Sequence, residues 1–477
     1  MTRLVRTMTI VGGASVAILW ARLGNAELLT ADRAVEIALQ KSTQVINAEA
    51  TVRDARAGLY SAYSGVLPRV QADFTRAGQR SDRRTGSQLF GNVVTPSATT
   101  DNESYSSTPS LSGSWSVFNT SSLTGLSSAR LGLRAARLRQ SATRQQVEFD
   151  TRRQFYQVVQ SVRLADVATG ALRLARDDER RVRALFEVGS VSRSDVLKAQ
   201  VRTAQSQLDS LTAYQAVINQ RISLAELMGL RETEMGDIDT VLTVEDRSYD
   251  EGALLQDAAR ARPDLKAADA EWRAARAAVL SARLARLPYV TVSSFIDFNP
   301  RRTFTQKSFG SFYLLGREHG DHTPDDYIVR DTLGTLTDPV TSGLSETDRT
   351  FGGQIALTWN LFDGLATDSR IASARARLLR AEEARNSLNR NLEAEVHQAL
   401  LAYREAVERG RVATSSVESA TENLKLTQQK YNVGSATILD LIDSQVQLQR
   451  AQSDRVTALA SIRVAEAQID MVRGRGD

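Results

Sequence analysis

Phe186-Glu-Val-Gly-Ser-Val-Ser-Arg-Ser-Asp195-Val and Tyr431-Asn-Val-Gly-Ser-Ala-Thr-Ile-Leu-Asp440-Leu nearly repeat one another, their glycines 245 positions apart. Each is a Gly-Ser turn between two long Ala-, Arg- and Gln-rich stretches with helical spacing. A helix pair has been duplicated within the chain, and the duplication organises everything around it. Gly189 and Gly434 suit the position just past a helix end, because only glycine enters the left-handed region without penalty. Ser190 and Ser435 are then expected to cap the returning helices.

Working outward, prolines stand at 68, 96, 109, 263, 288, 300, 324 and 339. None lies between 110 and 262 and none follows 339, so long helices can run there unbroken. The first repeat, 27–230, reads as a helix from about Leu28 to Gly65 ended by Leu67-Pro68, a strand over 66–76, a polar segment, and a second strand over 109–118. A helix of roughly 69 residues to Gly189 follows, about 100 Å at 1.5 Å per residue, then a return helix from about Ser192 to Gly229. A linker occupies 231–250. The second repeat, 251–477, gives the same order: a short helical piece, a helix over Pro263–Arg286 ended by Leu287-Pro288, strands over 289–298 and 350–362 around a long polar connection (299–349), a helix from Gly364 to Gly434, and a last helix over Thr437–Val472. On the longest helix Leu388, Leu392, Val396, Ala399, Tyr403 and Val407 form one apolar stripe, a packing face.

The chain has 477 residues, 42% hydrophobic and 24% charged, with few aromatics. That balance suits long helices packed through small residues better than a compact enzyme core. The absence of cysteine excludes disulfides, thiolate metal sites and cysteine nucleophiles. The 60 basic and 56 acidic residues are interspersed, which reads as solvated helix faces and argues against nucleic acid. Arg3 and Arg6, the apolar run Met8–Ala21 and Gly24-Asn25-Ala26 read as a cleaved signal peptide over 1–26. No later stretch is apolar for the roughly 18 residues of a membrane helix. A membrane-spanning form must therefore be a β-barrel. Strands of 10–12 residues suffice for that when tilted. Four cannot close a barrel, so the wall must be shared: two chains give eight strands, three give twelve. Trp115, Phe118, Trp359 and Phe362 fall where strands meet helices, the place of an interfacial aromatic girdle.

The duplicated helix–strand–loop–strand–helix–turn–helix order carries a resemblance to a known family. So do the two Leu-Pro breaks, Ala261-Arg-Pro263-Asp-Leu265, the paired Trp115-x-x-Phe118 and Trp359-x-x-Phe362, and the two Val-Gly-Ser turns. Over essentially the whole mature chain the sequence resembles the TolC-type outer-membrane efflux family. The resemblance implies a fold of mixed α and β: a long antiparallel α-helical barrel plus a transmembrane β-barrel, twelve-stranded and completed by homotrimerisation. It implies a Gram-negative outer membrane with its lipid, a long periplasmic extension, and passive export in a tripartite efflux or type I secretion system. The turns Val188-Gly189-Ser190 and Val433-Gly434-Ser435 would meet a periplasmic adaptor (a membrane fusion protein) coupled to an inner-membrane pump. The family narrows its entrance with acidic side chains after the second turn, the places of Asp440 and Asp443 here. Their i, i+3 spacing puts both on one helix face, and a trimer would converge six carboxylates in a cation-attracting ring. Read without the family, they are two solvated aspartates in a first helical turn, favoured there by the helix dipole. Tyr431 and Asp195 match a polar pairing that holds relatives closed. Ala436 stands where relatives can carry Arg, which implies a weaker or differently made closure.

Other constellations carry less. His319 and His322 beside Asp321, Asp325 and Asp326 could ligate a metal, but sit in the polar connection with nothing to fix their geometry. No nucleophile elbow or phosphate loop is present, so no enzyme, cofactor or metal is expected. The rival reading is an envelope coiled-coil or adaptor protein without a pore.

Overall fold

The structure is a computed structural model that describes residues 28–86, 88–90, 93–95, 97–244, 247–317, 327–337, 341–342 and 346–474. The expected signal peptide and the His319/His322 cluster lie outside those residues. In chain order the elements are α1 (Ala31–Lys41), α2 (Thr43–Ser64), β1 (Arg69–Thr85), β2 (Gln88–Phe90), β3 (Val93–Thr95), β4 (Ala98–Phe118), α3 (Thr120–Glu187), α4 (Arg193–Met228), α5 (Glu251–Ala261), α6 (Pro263–Leu284), β5 (Tyr289–Arg317), β6 (Tyr327–Thr337), β7 (Thr341–Ser342), β8 (Glu346–Thr358), α7 (Ala366–Asn432) and α8 (Ile438–Arg473). The duplication is written in helix length: 11 and 11 residues for α1 and α5, 22 and 22 for α2 and α6, 68 and 67 for α3 and α7, 36 and 36 for α4 and α8.

Two compact units emerge, each drawing on both repeats. The first comprises Met1–Arg56, Leu131–Arg273 and Leu379–Asp477. It holds a matched pair of cores. Ala34 and Ala38 of α1 pack with Val147, Phe155, Val158 and Val159 of α3 and Leu224, Ala225 and Met228 of α4. Leu254 and Ala258 of α5 pack likewise with Val396, Ala399, Leu400 and Tyr403 of α7 and Ile462, Ala465 and Ile469 of α8. Small residues at these seams let long helices approach closely. Each core is closed by one glycine. Gly229, after α4, has φ +68° and packs on the break between α1 and α2, where an added Cβ would lie 2.4 Å from the Lys41 carbonyl oxygen. Gly474, after α8, has φ +79° and packs on the break between α5 and α6, where a Cβ would lie 2.7 Å from the Arg262 nitrogen.

The second unit comprises Ala57–Arg130 and Ala274–Leu378. Its main sheet runs β1-β4-β5-β8, antiparallel throughout. β1 pairs only with β4, and β8 only with β5, among the described residues. The register sets two faces. Val70, Ala72 and Phe74 (β1), Leu111 and Trp115 (β4), Val292 and Ile296 (β5), and Phe351, Ile355 and Leu357 (β8) share one face. Ser110, Ser112, Ser114, Thr291, Ser293 and Asp297 share the other. The apolar face is not packed away: Val70 is 73% exposed, Phe74 71%, Phe351 84% and Ile355 76%. So large a continuous apolar surface marks contact with something other than water. No helix among the described residues is long and apolar enough to cross a membrane.

Several expectations need correction. The first helix is two, α1 and α2, broken at Ser42. Ser42 is buried, and its N–H still bonds back to Ala38. The strands are longer than expected. β1 and β4 continue through the polar segment, and β5, 29 residues long, runs on to Arg317 inside the expected 299–349 loop. Ladder hydrogen bonds hold those polar residues, which alternation of hydrophobicity could not reveal. The fourth strand ends at Thr358, so Trp359 and Phe362 lie just beyond it. Ser190 and Ser435 do not cap the returning helices; Ser192 and Thr437 do.

Candidate gate and membrane belt

Both turns are built alike. Gly189 and Gly434 each have φ +77°. At the first, Gly189 N–H bonds to the Phe186 carbonyl at 2.9 Å and Ser190 N–H to Leu185 at 2.8 Å. At the second, Gly434 N–H bonds to Tyr431 at 3.0 Å and Ser435 N–H to Lys430 at 2.9 Å. These paired bonds satisfy the last carbonyls of α3 and α7. The Ser435 hydroxyl adds a 3.1 Å bond to Lys430 O, so it finishes the outgoing helix. The returning helices start on capping boxes. Ser192 Oγ accepts from Asp195 N–H at 3.2 Å, and Asp195 Oδ2 accepts from Ser192 N–H and Oγ. Thr437 Oγ1 accepts from Asp440 N–H at 3.2 Å, and Asp440 Oδ2 accepts from Thr437 N–H at 2.8 Å and Oγ1 at 2.7 Å. The signal was in the sequence as Ser192-x-x-Asp195 and Thr437-x-x-Asp440.

A small apolar cluster gathers the four helices near the turns: Val182, Ala199, Ile438 and Leu441, flanked by Val196, Leu424 and Tyr431. Gln445 of α8 donates to Asp178 of α3 across it. Asp440 and Asp443 are both exposed. Asp443 Oδ2 accepts from Gln447 at 2.6 Å. The Oδ1 atoms of Asp440 and Asp443 take no hydrogen bond among the described residues. The Thr437 hydroxyl and N–H hold the Asp440 carboxyl below the usual carboxylate range. Ser192 does the same for Asp195, opposed by slight burial and helped by Lys198. Both stay charged across the physiological range.

Tyr431 and Asp195 lie in this cluster's neighbourhood without bonding. Both Asp195 oxygens are engaged, Oδ2 by Ser192 and Oδ1 by Lys198 at 3.4 Å. The Tyr431 hydroxyl is buried with no partner among the described residues. Burial pushes its pKa up, and the negative charge of Asp195 adds to that. Ala436 is half-buried beside the turn.

At the strand–helix junctions, Trp115 Nε1 donates to the Val66 carbonyl at 2.9 Å and Trp359 Nε1 to the Arg286 carbonyl at 3.1 Å. Phe118 and Phe362 are exposed beside them. Sequence reading also missed a salt-bridge knot. Buried Arg262, in the Ala261-Arg-Pro263-Asp-Leu265 motif, pairs with Asp264 at 2.6 Å and with Glu395 of α7. Among the described residues no group of three or more His, Asp or Glu side chains could hold a metal ion.

A sheet with one exposed apolar face and, among the described residues, two unpaired edges is the structure of a protein that meets a membrane through β-strands. The chain belongs to the outer membrane efflux protein family, whose sequence profile matches residues 34–230 and 254–475. It is accordingly an outer-membrane export protein of the Gram-negative envelope and not an enzyme. Solved structures share the fold. The Campylobacter jejuni CmeC outer membrane channel is 15% identical, with 98% of this chain and 94% of that one covered and a TM-score of 0.71. The Vibrio cholerae outer membrane protein VceC is 18% identical, with 94% and 96% covered at 0.68. The Neisseria gonorrhoeae MtrE channel, in its open state, is 16% identical, with 93% and 88% covered at 0.62. No curated protein sequence matches the chain.

Proposed function

We propose that three copies of the chain join edge to edge into a twelve-stranded barrel and form the passive exit duct of a tripartite efflux or type I secretion system. The observation that carries this is that β1 and β8 each have one unpaired edge among the described residues, on a sheet whose apolar face is exposed. A bilayer tolerates no open edge. β1 and β8 run in opposite directions, so the edges of two copies can pair antiparallel like every other neighbour in the sheet. Eight strands from two copies would enclose an interior that side chains fill; twelve leave room for a channel. The inward face, rich in Ser and Thr, suits a watery conduit.

Under this reading the Val188-Gly189-Ser190 and Val433-Gly434-Ser435 turns face a periplasmic adaptor coupled to an inner-membrane pump. Asp440 and Asp443 line the entrance. Their free Oδ1 atoms support that role, since capping occupies only Oδ2 of Asp440. Asp195 is spent on its cap, which leaves the Tyr431 hydroxyl as the group awaiting a partner in the assembled entrance. A non-pore adaptor would have no use for an exposed apolar sheet face.

The test is native mass and conductance of the protein extracted from outer membrane. A trimer that opens steady channels in planar bilayers is expected. A monomer or dimer, or a trimer that passes no current, overturns the proposal.

A further inference from the structure

The outward face of the sheet changes chemistry abruptly along each edge strand. On β1 it reads Val70, Ala72, Phe74 and then Arg76. On β8, read toward the same end, it reads Leu357, Ile355, Gly353, Phe351 and then Arg349. That end is the one away from the strand–helix junctions at Tyr289 and Thr358. The apolar rows span Val290 to Phe298 on β5, roughly 20 Å of height for a tilted strand. That is close to the ~25 Å apolar band of outer-membrane barrels. Arg76 and Arg349 are thus the first charges past the band, where headgroups of the outer leaflet begin.

Both side chains are exposed. Neither has a carboxylate partner among the described residues. Arg80, further along β1, differs: Asp82, Asp101 and Glu103 surround it. Arg349 lies over the Phe298 ring, 5.7 Å from its centroid, which orients the guanidinium without neutralising it. Two uncompensated arginines beside an apolar belt suit a ligand with an acyl body and a phosphate head.

We propose that Arg76 and Arg349 form a binding site for the phosphorylated headgroup of an outer-leaflet lipid. The pairing rests on the oligomeric reading above. β1 and β8 are the two open edges, so ring closure brings Arg76 of one copy to the same seam as Arg349 of the next. Three identical seam sites result, each clamping a phosphate while the acyl chains lie on Phe74 and Phe351.

The test uses the full-length protein in nanodiscs of neutral phosphatidylcholine doped with bisphosphorylated lipid A, or with the same lipid stripped of phosphate. Native mass spectrometry reads both oligomeric state and bound lipid. The wild type is expected to retain the phosphorylated form about tenfold over the stripped form. The double variant Arg76→Gln, Arg349→Gln should lose that preference, and Arg76→Lys, Arg349→Lys, which keeps the charge, should retain part of it. A stable trimer with equal retention of the two lipids overturns this site and leaves the duct standing. Absence of any ring-forming oligomer overturns the duct and the seam together. Displacement of the lipid by millimolar inorganic phosphate reassigns the arginines to a free anion and overturns the lipid site.

Discussion

The indole Nε1 of Trp359 donates to the carbonyl oxygen of Arg286 at 3.1 Å, joining the exit of β8 to the entry of β5. Trp115 makes the same bond to Val66 in the other repeat. Each indole closes the turn that converts a helix into a strand. The Leu-Pro steps end the helices, and the tryptophans tie the ends of β4 and β8 to the chain just past those helices. Trp359→Phe keeps the ring and loses the donor. A loss of about 0.5–1 kcal/mol per site is expected, at the low end because these carbonyls can meet water. The temperature at which the detergent-extracted oligomer dissociates checks this, and the double Trp→Phe variant should fall further than either single one.

Gly229 and Gly474 combine a left-handed backbone with direct contact to the main chain of a neighbouring helix break. Gly229→Ala adds the left-handed penalty of about 1–2 kcal/mol to a backbone collision that no side-chain rotation relieves. Thermal midpoints should drop sharply for Gly229→Ala and Gly474→Ala. Gly170→Ala, where a Cβ meets nothing within 4 Å, should be neutral or slightly stabilising.

The Arg262 knot gives an acid-sensitive contribution. Burial alone would raise the Asp264 carboxyl, but the Arg262 hydrogen bonds and charge outweigh it and hold it below its ordinary value. A depressed folded value means stability present above the unfolded value and lost as pH falls through the folded one. Asp264→Asn leaves Arg262 with Glu395 alone, at a cost of about 1–3 kcal/mol, discounted because Asp264 is partly exposed. Thermal melts of wild type and variant should converge as pH drops below about 4.

The proposed placement of Asp440 and Asp443 at the entrance predicts a selectivity change. Asp440→Asn with Asp443→Asn should abolish cation preference and divalent block in single-channel recordings. Unchanged preference would remove both residues from the entrance.

Thr437→Val deletes the hydroxyl donor that depresses the Asp440 carboxyl. Its pKa then moves up toward the ordinary carboxylate range, so protonation begins at higher pH. Acid loss of cation preference should shift to higher pH in the variant, measured as reversal potential across a pH series.

The sequence by itself determined the duplication, the lengths of the four long helices α3, α4, α7 and α8 to within a few residues, the positions of the glycine turns, and the four strands with their apolar and polar faces. These are local facts: proline placement, hydrophobic period and the left-handed tolerance of glycine suffice to write them. The break at Ser42 escaped because a buried serine between two helical stretches leaves no periodic mark. The extended strands escaped because ladder hydrogen bonds do not depend on side-chain polarity. Which hydroxyl caps each helix was legible as a Ser/Thr-x-x-Asp pattern, but another hydroxyl stands two residues earlier in each case, Ser190 before Ser192 and Ser435 before Thr437. Tertiary structure alone decided that the Tyr431 hydroxyl is buried without a partner, that Gly229 and Gly474 seat against helix breaks, and that β1 and β8 are the unpaired edges, all among the described residues. Each of those depends on which residues distant in sequence meet in space, and only the packed chain fixes that.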